Sequence, residues 1–275
     1  MNRHTRRMEL LVTLALVAVS AVTQNVSAAV IASHSGATDP TSEGWTLEQT
    51  PNAVVGPIAS DSHGGGIGTW YTYDLEANAG SGHAYYNGSS ALTASALADI
   101  TTGGWAMRAY LRVNDMKADG GNEQPDQAPG LQIALAGSQQ WIILKLGQDS
   151  SGNTTAQMLS GYNPGTGLMN ESSIMTISGS GYHNFEFRGS PTGSLVDLYV
   201  DGIQKVNGLS AANLDAGLAA ALGNRVFWGC ADTQGVGVGY YNSVQFETAP
   251  TPIPEPSMLA FGLTCLLACA WRKRA

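Results

Sequence analysis

The chain has 275 residues, a net charge of −8, only 12% charged residues and 34 glycines. An acidic chain with no basic patch in its body is a poor partner for nucleic acid or for anionic membrane surfaces. Three cysteines make no disulfide framework, so the 43% hydrophobic residues must hold the fold through their own core.

The first predicted element is a signal peptide. Arg3, Arg6 and Arg7 precede an apolar run from Leu10 to Val22, and Val26 and Ala28 then occupy the minus-three and minus-one positions of a cleavage site. Residues 1–28 are therefore expected to be removed by signal peptidase after Ala28. The body, residues 29–249, shows no internal repeat and no linker before "ETAPTPIP", which predicts a single domain. Without the two ends it holds 19 acidic and 7 basic residues, a net charge of about −12.

Along the body the pattern is β. "GTWYTYD", "GWAMRAYLRV", "GLQIALAG", "QQWIILKLGQ", "TTAQMLSG", "YHNFEFRGS", "SLVDLYVDG" and "YYNSVQFE" are short, often alternating runs separated by Gly, Asn, Asp and Pro. Only "SSALTASALADI" and "LSAANLDAGLAAAL" read as helices. Two hairpins are legible, one turning on Asp149 to Asn153 and one on Asp201-Gly202, a dipeptide suited to the positive φ of a type I′ turn. This pattern predicts an antiparallel sandwich or barrel.

Candidate binding residues are few. Trp70, Tyr71, Tyr85 and Tyr86 supply aromatic faces of the kind sugar rings stack on, although alternation sends neighbours to opposite faces and makes at least one of each pair a core residue. Asp115, Asp119, Glu123 and Asp126, with Asn122, form a Gly-rich loop of oxygen donors that suits Ca²⁺, or is simply solvated. Cys230 is expected to be a buried small apolar residue on a strand. His34, His63, His83 and His183 lack metal-ligand spacing. There is no Gly-x-Ser-x-Gly elbow, and "DSHGGGIG" lacks the lysine of a phosphate loop.

The last element is Pro254-Glu255-Pro256, an apolar stretch from Met258 to Trp271, and Arg272, Lys273 and Arg274. As a helix the stretch spans about 21 Å against a hydrocarbon core of ~30 Å, short for a permanent anchor. The basic cluster would keep its end cytoplasmic. The two prolines hold the tripeptide extended and open to a processing enzyme.

These residues, in this order, resemble the PEP-CTERM sorting signal of exported Gram-negative proteins. The resemblance implies an exosortase that recognises the tripeptide, a transient inner-membrane helix within residues 250–275, a final place at the cell surface or in the extracellular matrix, and exopolysaccharide as company. The body carries a second resemblance. "YHNFEFRGSPTGSLVDLYVDGIQKVNG", flanked by "GWAMRAYLRV" and "VFWGCADTQGVGVGYYNSVQFE", is similar to strand pairs of concanavalin-like and laminin-G-like jelly rolls. That implies an all-β jelly-roll sandwich with one or two short helices. Hydrolases of that fold show Glu-x-Asp-x-x-Glu on one strand, which is missing here, and Asp197 and Asp201 do not replace it. The expectation is a non-catalytic, lectin-like surface module that binds polysaccharide. A carbohydrate-active enzyme with an unrecognised site and a purely structural matrix protein remain as alternatives.

Overall fold

The computed structural model describes residues 28–51, 53–58, 69–74, 83–115, 126–163, 168–191, 195–211, 216–230 and 237–248. Residues Ala28–Ala249 form one structural unit. Pro254-Glu255-Pro256, the apolar tail and the segment up to Ser27 lie outside the described residues.

Two eight-stranded antiparallel sheets build the body. The first contains β1 (Val30–His34), β3 (Ala53–Ile58), β4 (Thr69–Asp74), β6 (Trp105–Asp115), β12 (His183–Gly189), β13 (Leu195–Val200), β14 (Ile203–Ser210) and β16 (Gly237–Thr248). Its order is β14-β13-β12-β6-β16-β4-β3, and β1 pairs with the far half of β16 beyond β4. The second contains β2 (Thr46–Gln49), β5 (Ala84–Asn87), β7 (Asp126–Leu135), β8 (Gln140–Gln148), β9 (Thr154–Asn163), β10 (Leu168–Glu171), β11 (Met175–Ile177) and β15 (Arg225–Cys230). Here the order is β10-β9-β8-β7-β15-β5-β2, with β11 on β9.

Alternation explains how the sheets close on each other. On β6, Trp105, Met107, Ala109, Leu111 and Val113 enter the core with Phe185 and Phe187 of β12 and Val196, Leu198 and Val200 of β13. The second sheet answers with Leu131, Ile133 and Leu135, with Ile142, Leu144 and Leu146, and with Val226 and Trp228. At roughly 1.5–3 kcal/mol per buried aliphatic or aromatic side chain, this core is the main stabilising term. On β16 the register shifts between Tyr241 and Ser243. The extra residue, Asn242, lets Tyr241 and Val244 both face inward where strict alternation would put one of them in solvent.

The Asp201-Gly202 turn has the expected geometry, with φ of 50° and 77°, and joins β13 to β14 directly. The β8–β9 turn is closed by Asp149, whose Oδ1 accepts the Ser151 and Asn153 amides at 2.9 and 2.8 Å. Two α-helices occur among the described residues, α1 (Ala94–Gly103) and α2 (Ala216–Leu222). Both are shorter than the sequence pattern. Ser89–Ala91 forms a 3-10 turn, and the Thr93 hydroxyl accepts the Ala96 amide at 3.2 Å to start α1 afresh. Before α2, Leu209 and Ser210 belong to β14.

Candidate functional site

Each sheet turns one face outward, and the two faces differ in how their polar groups are used. On the first sheet, Arg108 contacts both Glu186 and Glu247, and Arg188 reaches Glu186 at 2.9 Å while lying 4.2 Å over the Tyr199 ring. Arg112 lies 4.0 Å over Tyr240. Burial pushes the Glu186 carboxyl up, but hydrogen bonds and charge from Arg188 and Arg108 outweigh it and hold the group below its ordinary value. On this face Arg108 and Arg188 are compensated by Glu186 and Glu247.

The second sheet carries a small trough of about 10 Å³. Its lining comes from Gly130, Leu131 and Gln132 on β7, Ile143 and Leu144 on β8, and Phe227 and Gly229 on β15. Gly130 and Gly229 pair across β7 and β15, and with no side chains they leave a low floor. Gly229 has φ +125°, and a Cβ there would fall 2.6 Å from the Ala84 carbonyl oxygen and 2.8 Å from the Tyr85 Cα, so the position requires glycine. Gly130 is fixed from beneath. The Tyr241 hydroxyl crosses from the first sheet, accepts the Gly130 amide at 3.0 Å and donates to the Gly130 carbonyl at 3.1 Å. Burial pushes that phenol well above its ordinary pKa, so it stays neutral and keeps its proton to donate.

Tyr85 stands beside this floor, in register with Gly229. Its ring sits 4.9 Å from Phe227 and 5.4 Å from His83. Phe227 is 7% exposed and packs against the half-buried Tyr85. The ring is oriented by its hydroxyl, which donates to Glu48 Oε2 at 2.5 Å, while Asn87 donates to Glu48 Oε1 at 2.8 Å. Burial raises the Glu48 pKa, but the bonds from Asn87 and Tyr85 and the charges of Arg225 and His83 bring it below the ordinary value. Burial and the Glu48 carboxylate push Tyr85 up to about 12. At neutral pH the pair is therefore phenol and carboxylate.

The four aromatics singled out from sequence do not form one site. Tyr86 is 1% exposed and stacks on Trp228 at 4.5 Å in the core, with His34 on the other ring contact of Trp228 at 5.0 Å. Trp70 packs partly buried against that core, edge-on to Tyr86 at 6.5 Å. Tyr71 lies on the first sheet's outer face beside Tyr240, at 6.4 Å. Of the four, Tyr85 alone stands beside the trough, in register with Gly229. Cys230 is fully buried on β15, its thiol donating to the carbonyls of Thr72 and Gly237.

For the acidic loop, Asp115 ends β6 in one sheet and Asp126 begins β7 in the other, while Asp119 and Glu123 lie outside the described residues. Among the described residues no group of three or more His, Cys, Asp or Glu side chains could hold a metal. Ala28 precedes an ordered entry, since the Ala29 amide donates to Thr248 Oγ1 at 2.9 Å. Pro254, Glu255, Pro256, Arg272, Lys273 and Arg274 lie outside the described residues, and no described helix is long and apolar enough to cross a membrane.

No protein-family model matches the chain, and no curated protein matches it in sequence. Solved structures do share its fold. A carbohydrate esterase from the Shiga toxin-encoding bacteriophage phi24B superposes with a TM-score of 0.54 at 12% identity, over 81% of this chain and all of that one. A β-glucanase of Bacillus licheniformis (TM-score 0.39, 11% identity, 81% of this chain and 99% of that) and peanut lectin (0.41, 11%, 80% and 97%) are more distant. At these identities the likeness to the esterase gives the architecture alone, an all-β sandwich of two antiparallel sheets.

Proposed function

We propose that the body is a non-catalytic polysaccharide-binding module of an exported protein. The observation that supports this best is the trough itself: a glycine floor, one oriented, half-buried aromatic ring beside it, and amide and hydroxyl groups nearby. Sugars need a flat apolar surface for the ring's C–H face and fixed hydrogen-bonding groups for its hydroxyls. Tyr85 offers the first, and Gln132, Asn87 and the Tyr85–Glu48 pair offer the second. At about 10 Å³ the trough is too small to enclose a sugar, so a polysaccharide would lie across it.

Binding is favoured over cleavage because glycoside hydrolysis needs two carboxyl groups roughly 5–10 Å apart across the bond. The described residues lining the trough contribute none, and Glu48, hydrogen-bonded to Tyr85, is held ionised by its hydrogen bonds. Export and sorting rest on the sequence of the two ends. We propose removal of residues 1–28, transient anchoring through the apolar tail and release near Pro254-Glu255-Pro256, with calcium at the Asp115–Asp126 loop as an optional support. A polysaccharide array probed with the purified chain, with and without a chelator and alongside an assay for new reducing ends, tests the reading. Capture without new reducing ends is the expected result, and reducing ends would replace a binding module by an enzyme.

A further inference from the structure

We infer that the polysaccharide taken by this trough is acidic, its carboxylate or sulfate groups meeting Lys145 and Arg225. The inference rests on the binding reading above and adds the chemical class of the ligand.

The body is strongly acidic and repels a polyanion at long range, so preference for an acidic polymer has to come from local cations. Arg108, Arg112 and Arg188 are engaged on the outer face of the first sheet. Lys145 and Arg225 are different. Among the described residues neither has an ion pair, and both project from the outer face of the second sheet. Lys205 also lacks an ion pair but sits apart, on β14 at the edge of the first sheet.

Their positions bracket the trough. Lys145 is in register with Gly130, one end of the floor, and Arg225 lies two residues from Phe227 on β15. Two strand spacings and four residues separate them, about 17 Å between Cα atoms. One anionic group cannot bridge that distance, whereas successive charged sugars on an extended chain can. Arg225 adds a planar guanidinium that matches a carboxylate or sulfate with paired donors. Among the acids whose side chains are described, two share the face, and Glu48 feels the charge of Arg225 without forming an ion pair with it. Glu48 is engaged by Tyr85 and Asn87, and Glu171 lies on the edge strand β10, where it accepts from Gln157 at 3.3 Å.

The test is affinity electrophoresis of the full chain in gels containing matched polymers: polygalacturonate against its carboxyl-reduced form, and dextran sulfate against dextran. At least one acidic polymer is expected to retard the chain about tenfold more strongly than its neutral partner. The K145Q/R225Q variant, with an unchanged melting temperature, should lose that preference, and so should the wild type at ~1 M salt, where the Debye length falls to about 3 Å. Preference confined to polygalacturonate assigns carboxylate, and preference confined to dextran sulfate assigns sulfate. Equal retardation by both members of each pair, abolished by Tyr85→Ala, would overturn the inference and leave polysaccharide binding standing. Preference that survives in K145Q/R225Q would also overturn it. No retardation by any polymer would remove both readings together.

Discussion

Tyr85 and Tyr86 are adjacent and chemically identical, yet one is half-buried beside the trough and the other is sealed against Trp228. Substitutions should separate them. Tyr85→Ala should weaken polysaccharide binding at least about tenfold, as loss of a central aromatic anchor does, with little change in stability. Tyr85→Phe keeps the ring and loses only the tether to Glu48, so a smaller loss is expected. Tyr71→Ala, on the other sheet, should leave binding unchanged in the same titration. Tyr86→Ala should instead cost about 3–5 kcal/mol in denaturant unfolding, as removal of a large core side chain does.

Two further residues have consequences of their own. Tyr241→Phe removes both bonds to Gly130 and leaves its buried amide and carbonyl without that partner. A cost of about 1–3 kcal/mol in urea unfolding is expected, together with weakened binding because the trough floor is released. His34 is 2% exposed, and burial lowers its pKa against the opposing pull of Glu43 at 2.6 Å. Its folded pKa therefore lies below the unfolded value near 6.5, so the unfolded chain takes up the proton first as pH falls. Its contribution is complete above about pH 6.5 and is lost progressively below it. Thermal unfolding between pH 7.5 and 5 should show this slope, and His34→Gln should flatten it.

At the scale of elements, alternation in the sequence marks the long central strands well, because β6, β8, β12 and β13 each bury one face continuously. The short strands β1, β2, β3, β5, β10 and β11 are not marked, since edge and near-edge segments are defined by pairing with distant partners. The same reason hides most of the site. Glu48, Tyr85, Phe227, Gly229, Gly130, Gln132 and Ile143 are scattered over most of the chain and meet only because the sheet order is β8-β7-β15-β5-β2. The available signal was a glycine beginning "GLQIALAG" and another interrupting "RVFWGC", where a strand gives up side-chain packing. Tyr85 was legible as a candidate; its separation from Trp70, Tyr71 and Tyr86 needed the register of β5 against β15. The bulge at Asn242 is equally invisible in sequence. Deleting Asn242 should throw the end of β16 out of phase, exposing Val244 and Phe246, and abolish cooperative unfolding followed by tryptophan fluorescence.

For the whole molecule, both ends of the sandwich meet on one seam, where β1 pairs with the far half of β16 and the Thr248 amide returns a bond to the Ala29 carbonyl at 3.0 Å. Every described strand lies between Val30 and Thr248, so the proposed removal of residues 1–28 and of the tail beyond Pro254 would leave each in place. Intact-mass analysis of the secreted protein should find Ala29 at the amino end and a carboxyl end near the Pro254–Pro256 tripeptide. A mature chain that retains Arg272 to Arg274 would instead mean a lasting anchor.

The most direct test of the central claim compares the wild-type chain and Tyr85→Ala by affinity electrophoresis across a panel of polysaccharides, with reducing ends measured in the same samples. Retardation of the wild type by at least one polymer, its loss in the variant and no new reducing ends are the predicted result. Equal retardation of the two proteins would place binding away from the trough, and newly formed reducing ends would contradict a non-catalytic module.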